Sequence, residues 1–137
     1  MMIDILWLFI FLQLKHFIID FPLQGPYQYL NKGTYGHPGG LLHSVLHGVG
    51  TFIVFFILYE WIIISFWAYL LMGIVVSEIF LHYHIDWAKM NINKMMSWGP
   101  TTTEQFWWLL GFDQLLHQWT YIAIVYAFYA YPFGGIL

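Results

Sequence analysis

Four stretches of this chain are mostly apolar, and each carries one pair of ionisable residues spaced i, i+4. The stretches run over about 3–21, 41–58, 62–84 and 106–131. A helix needs roughly 20 such residues to cross a bilayer. The pairs are His16 and Asp20, His43 and His47, Glu78 and His82 (continued by Asp86), and Asp113 and His117. On a helix an i, i+4 pair lies on one face, its members about 40° apart. Four helices that each turn one polar pair inward, in an otherwise apolar chain, can satisfy those groups only against one another.

Composition supports spanning segments. Hydrophobic residues make up 61 % of the 137 residues and charged residues 8 %, against about 25 % charged in a soluble domain. Eight Trp, ten Tyr and thirteen Phe also suit a surface that faces lipid. The expected fold is all-α: one domain over 1–137, a bundle of four transmembrane helices with a His/Asp cluster near one membrane face. The first stretch lacks a basic leader and a small-residue cleavage site, so it is expected to stay as a helix. Residues 22–40 are rich in Gly, Pro, Tyr and Asn and read as a loop or interfacial segment. Tyr59-Glu60-Trp61 is the expected break between the second and third spans, because aromatic rings and a carboxylate favour the interface. Residues 85–105 are more polar and read as a connection.

Spans in this order place the polar ends on one side. Lys32, Lys89 and Lys94 fall in the connections on that side, with Lys15 in the near half of its span, while the other side has Asp4 and Glu60. The positive-inside rule puts the polar side in the cytoplasm and both termini outside. The expected location is a bacterial inner membrane. Nucleic acid is excluded as a partner, since a net charge of −3 offers no basic patch. Without Cys, disulfides, Cys-ligated zinc and iron–sulfur clusters are excluded too.

A charged group at the bilayer centre costs about 2.5–3.5 kcal/mol on insertion scales. Asp113 lies about 10 Å into its span at 1.5 Å per residue. With four Lys and no Arg, ion pairs within the chain look too scarce to offset such groups. A divalent cation offsets them directly, because imidazole and carboxylate are its usual ligands. The expected ligands are His16, Asp20, His43, His47, Glu78, His82, Asp86, Asp113 and His117. The expected metal is one or two ions, zinc first, with iron or manganese as alternatives. An uncharged His/Asp hydrogen-bond network is the competing account. His84 points about 200° from His82 and stays outside the set, and His37 sits in the Gly/Pro loop.

The strings His16-Phe-Ile-Ile-Asp20-Phe-Pro-Leu-Gln24, Asn31-Lys32, His43-Ser-Val-Leu-His47, His82-Tyr-His-Ile-Asp86-Trp-Ala-Lys89 and Asp113-Gln114-Leu-Leu-His117 together resemble the small bacterial and phage membrane proteins grouped as domain of unknown function 3307. The resemblance spans residues 16–117. It implies a short multi-helix membrane protein with a His/Asp/Lys/Gln signature and no particular reaction. It adds Gln24, Lys32, Lys89 and Gln114 to the candidate residues. A looser similarity runs to membrane-bound metal-dependent hydrolases.

Metal-dependent hydrolysis of an amphipathic, lipid-like substrate is therefore the leading expectation. Asp86, Lys89 and Gln114 are the expected catalytic residues, with Lys89 meeting an anionic head group. A non-haem iron redox enzyme is weaker: the Glu-x-x-His spacing of di-iron bundles and an adjacent His-His pair are both missing. A non-enzymatic ion or proton path, or a membrane scaffold, is the alternative from another class. The expected partners are the lipid bilayer and a lipid-like substrate, with further copies of the chain in a homo-oligomer as an option.

Overall fold

The structure, a computed structural model, describes residues 2–59 and 67–130. These form five helices and no strand: α1 (Met2–Asp20), α2 (Pro26–Tyr29), α3 (Pro38–Leu58), α4 (Trp67–Met96) and α5 (Glu104–Ala130). Glu60 and Trp61, the rest of the expected break after Tyr59, lie outside the described residues, as do the expected start of the third span and end of the fourth.

Local chemistry sets the ends. No Gly or Pro interrupts residues 2–20, and α1 stops just before Phe21-Pro22, where the residue preceding proline is pushed out of the helical region. α3 opens with Pro38 in its first turn and His37 as N-cap, whose side chain accepts from the Gly39 amide. α4 closes at Ser97, with φ 57°, and the Trp98 amide reaches back to the Asn93 carbonyl at 2.9 Å, a left-handed helix end.

One expected boundary moves. α4 runs on to Met96, so most of the connection expected at 85–105, including Lys89 and Lys94, is helix. Part of this stretch packs against the 22–37 segment: Asn91 donates to the Gly33 carbonyl at 2.9 Å, and Lys32 pairs with Asp86 at 2.7 Å. Between His84 and Met96 there is no Gly or Pro to stop the helix.

The long helices form a ring in which α1 neighbours α3 and α5, and α4 neighbours α3 and α5. Two glycines on α3 allow close approach. A Cβ at Gly48 would lie 2.5 Å from Ile79 of α4, and one at Gly50 would lie 2.8 Å from the Lys15 stem on α1. Each helix buries one stripe, and the stripe changes character along its length. Towards the ends nearest residues 59 and 130 it is apolar: Leu8, Phe55, Leu71 and Phe128 are almost wholly enclosed, and Phe55 meets Phe128 edge-on at 5.0 Å. Towards the other end it is polar. Outward faces carry Trp7, Phe17, Trp108, Ile122 and Tyr126, each half-exposed or more. Two helices, α3 and α4, are long and apolar enough to cross a membrane.

Candidate metal centre

Three elements bring a carboxylate and three imidazoles together. Asp20 ends α1, His43 and His47 sit one turn apart on α3, and His82 faces them from α4. Asp20 Oδ1 lies 3.0 Å from His43 Nε2, 3.1 Å from His47 Nε2 and 4.0 Å from His82 Nε2. The His43 and His82 Nε2 atoms are themselves 3.0 Å apart. Four ligands around zinc at the usual bond lengths stand about 3.3 Å from one another. The four ligand atoms all lie within 4.8 Å of one another and could hold a metal ion.

The hydrogen bonds behind His43 fix which nitrogen is free. Gln28 Nε2 donates to the Leu23 carbonyl at 3.3 Å, so Gln28 Oε1 is turned to His43 Nδ1 at 3.1 Å. An amide oxygen only accepts, so Nδ1 carries the proton. In the neutral ring, Nε2 is then a lone pair facing Asp20 Oδ1 at 3.0 Å and Asp86 Oδ2 at 3.4 Å. A proton on His82 Nε2 relieves the imidazole contact but leaves the carboxylates facing that lone pair. A cation relieves all of them.

His16 is placed differently. Gln114 Nε2 donates to Asp113 Oδ2 at 3.1 Å, which turns its Oε1 to His16 Nε2 at 3.0 Å. His16 Nε2 therefore carries a proton, and its other neighbour is Asp20 Oδ2 at 3.1 Å. His16 Nδ1 lies 2.8 Å from the Tyr121 hydroxyl. Both ring nitrogens are thus engaged, and the ring braces the far oxygen of Asp20. Gln24 reaches towards Asp20 Oδ1 and His43 Nε2, at 3.5 Å from each.

A second half of the cluster is built from α4, α5 and the 22–37 segment. Asp86 Oδ2 pairs with Lys32 at 2.7 Å and Oδ1 with Lys89 at 3.1 Å. Lys89 also donates to Asp113 Oδ2 at 2.8 Å. His82, Asp86 and His117 are again close enough to share an ion, and the His82 ring stacks on His117 at 4.1 Å and on His47 at 3.7 Å. His117 Nε2 and Asp113 Oδ1 are buried without a hydrogen-bond partner.

The lysines correct the charge argument made from sequence. Ion pairs within the chain were expected to be too few, yet Lys15, Lys32 and Lys89 all turn inward. Lys15 pairs with Glu78 and donates to the His47 carbonyl at 3.1 Å. Glu78 is thereby one layer below the His/Asp group and matched by a lysine; the structure does not bring it into either set of converging ligand atoms. Asp86 and Asp113 are matched as well. Asp20 is the one carboxylate of the four that has imidazoles and no lysine against it among the described residues.

Three contributing residues escaped the sequence reading. Tyr121 continues the Asp113–His117 stripe by one more i+4 step, a signal that was available. Lys15 lies beside His16 but served only as a sidedness marker. Gln28 carries no pattern; only the turn through residues 22–37 puts it under His43. His84 does stay outside the cluster, with Nε2 at 3.2 Å from the Tyr35 hydroxyl, and His37 serves as a helix cap.

No curated protein and no solved structure matches the chain. The profile of one family, described as a protein of unknown function (DUF3307), matches residues 8–133. With nearly its whole length covered by that match, the chain belongs to the DUF3307 family.

Proposed function

We propose that this chain is a four-span integral membrane protein, a single domain, that binds one divalent metal ion through Asp20, His43, His47 and His82 and hydrolyses a lipid-like substrate there. One observation carries the metal reading. Three imidazole nitrogens converge on Asp20, the one carboxylate of the cluster's four that no lysine matches among the described residues. The four carboxylates Asp20, Glu78, Asp86 and Asp113 against Lys15, Lys32 and Lys89 leave one negative charge, 4 − 3 = 1. One divalent ion takes the cluster to about +1. A second ion at His82, Asp86 and His117 would stand beside Lys32 and Lys89, which favours one ion over two. Zinc suits the three-nitrogen, one-oxygen donor set best, with iron or manganese next.

Bound zinc lowers the pKa of a coordinated water to about 7. With an ion held by Asp20, His43, His47 and His82, Asp86, 3.4 Å from both His43 and His82 Nε2, would be the carboxylate placed to accept a proton from that water. Lys89 meets an anionic head group. Gln114 holds His16 and Asp113 with its two amide ends, so it positions them and does not react. His16 and Gln28 orient Asp20 and His43 as partners behind the ligands.

The membrane reading is supported by the inverted distribution of polarity. Buried side chains include Lys15, Lys32, Glu78, Asp86 and Asp113, while the outer faces are aromatic and aliphatic. α1 and α5 share this pattern with α3 and α4, which extends the spans from two to four. The sidedness of the lysines supports an inner membrane with the cluster on the cytoplasmic side and both termini outside. A through-path for ions is less supported, because Leu8, Phe55, Leu71 and Phe128 fill the other half of the bundle.

Metal analysis of the protein purified without added metal tests the reading. One zinc per chain is expected, falling to near zero in Asp20→Asn and His47→Ala. Protein that is folded and metal-free throughout would leave a protonated imidazole network as the account of the cluster.

A further inference from the structure

The layer just beneath the candidate metal centre holds three buried polar atoms with no hydrogen-bond partner: His47 Nδ1, Thr51 Oγ1 and Glu78 Oε2. None of the three residues is more than 1 % exposed. The large majority of buried polar side-chain atoms have a partner, either in the protein or in ordered water. Helical register brings these three to one place. Thr51 follows His47 by one turn on α3, and Glu78 precedes His82 by one turn on α4. Both steps lead from the stacked His47 and His82 rings, 3.7 Å apart, towards the apolar half of the bundle. Thr51 and Glu78 therefore share one level of the α3/α4 interface. The Lys15 ammonium marks that level, since it donates both to the His47 carbonyl at 3.1 Å and to Glu78 Oε1.

Each orphaned atom has a physical cause. A helical Thr hydroxyl commonly donates to the carbonyl four residues back. For Thr51 that is the His47 carbonyl, which takes the Lys15 ammonium instead. Lys15 engages Glu78 through Oε1 and leaves Oε2 over. His47 turns Nε2 to Asp20 at 3.1 Å, so its Nδ1 faces away from Asp20. When Nε2 gives its lone pair to an ion, the neutral ring carries its proton on Nδ1. The three atoms then amount to an N–H donor, an O–H donor and a carboxylate acceptor. None of them is bonded to another, so what satisfies them must stand between them. A water does so with three bonds: it accepts from His47 and Thr51 and donates to Glu78. About three bonds is the usual number for an enclosed water.

We infer that one water molecule is enclosed between His47, Thr51 and Glu78, and that through it Glu78 is a positioning residue for the metal ion. The carboxylate holds the proton on His47 Nδ1 and so keeps Nε2 free for the ion. A carboxylate behind a ligating imidazole also fixes the ring and raises its basicity. Glu78 thus does for His47 what Gln28 does for His43. The inference rests on the metal reading above and gives Glu78, which is in neither set of converging ligand atoms, a part in it.

The test compares stability with zinc affinity. Lys15→Met with Glu78→Leu removes the carboxylate and leaves the net charge of the cluster unchanged. With the thermal midpoint recovered, this double variant should still bind zinc about 10–100-fold more weakly than the wild type, read by competition with a chromophoric chelator. A purely structural pair would not move that affinity. Lys15→Met with Glu78→Gln keeps an acceptor oxygen at the same place and should restore most of the loss. Thr51→Val keeps the side-chain shape, removes one donor to the water, and should weaken zinc binding in the same direction. The wild-type protein supplies a readout that needs no substitution. With isotope-labelled histidine in detergent micelles, the His47 Nδ1 proton should give a magnetic-resonance cross-peak to a long-lived water. Wild-type zinc affinity in both Lys15→Met/Glu78→Leu and Thr51→Val, or a His47 Nδ1 proton with no water beside it, overturns the inference and leaves the metal reading standing. A protein that binds no zinc yet shows that proton beside a held water overturns the metal reading and leaves the water bridge.

Discussion

His43 and Gln28 are joined through His43 Nδ1 and Gln28 Oε1 at 3.1 Å, and this contact sets the chemistry of the opposite nitrogen. By holding the proton on Nδ1 it presents a bare Nε2 to Asp20. Partners behind a ligating histidine typically change metal affinity by about 10–100-fold. Gln28→Leu should therefore weaken zinc binding by that order while leaving the helices intact, read by competition with a chromophoric chelator and by circular dichroism. Unchanged affinity would show that the tautomer of His43 is set elsewhere.

The two halves of the cluster should separate by mutation. His47→Ala should lose the ion, because His47 Nε2 is 3.1 Å from Asp20 Oδ1. His117→Ala should keep it, because His117 faces Asp86 and Asp113, which lysines already match. Metal per chain, measured on both variants side by side, decides this. Equal loss in the two would point to a shared pair of ions.

Lys15 and Glu78 form a buried pair between the polar and apolar halves of the bundle. Removing one partner of such a pair costs about 3–5 kcal/mol, whereas replacing both by apolar residues is often neutral. Lys15→Met should lower the thermal midpoint in detergent sharply, and Lys15→Met with Glu78→Leu should recover most of it. A double variant no more stable than the single one would give Lys15 a role beyond matching Glu78.

Gly48 lies against α4: a Cβ added there would stand 2.5 Å from Ile79 Cγ1 and 3.2 Å from Val75 Cγ1. Gly48→Leu should push the two helices apart and destabilise the protein by about 1–3 kcal/mol, the usual cost of overpacking. It should also weaken metal binding, since His47 and His82 approach each other across this same contact. Gly73→Leu, where an added Cβ meets nothing within 4 Å, is the control and should leave the thermal midpoint close to wild type.

Much of the site was legible because helical periodicity is a local property. The pairs His16/Asp20, His43/His47 and Asp113/His117 declare their faces without any tertiary information, and the inward stripes of the helices contain them all. The extent of α4 was less legible. Polarity over 85–96 signalled a connection, but a helix also becomes polar where it packs on a polar segment, here through Asn91 and Asp86. Family resemblance added Lys32 and Lys89 to the candidates, Lys89 as the contact for an anionic head group; their pairing with Asp86 and Asp113 is a matter of distance.

The sequence by itself determined that the chain is helical and that four faces carry His and Asp at one end, because spacing along a helix fixes direction. It also determined that apolar surface surrounds them. Only the tertiary structure decided which groups satisfy which. Three lysines match three carboxylates, Glu78 falls to a lower layer, His16 acts as a donor, and Asp20 is left to imidazoles alone. Charge pairing depends on separations of a few ångströms between residues as far apart in the chain as Lys15 and Glu78, and no periodicity encodes those separations.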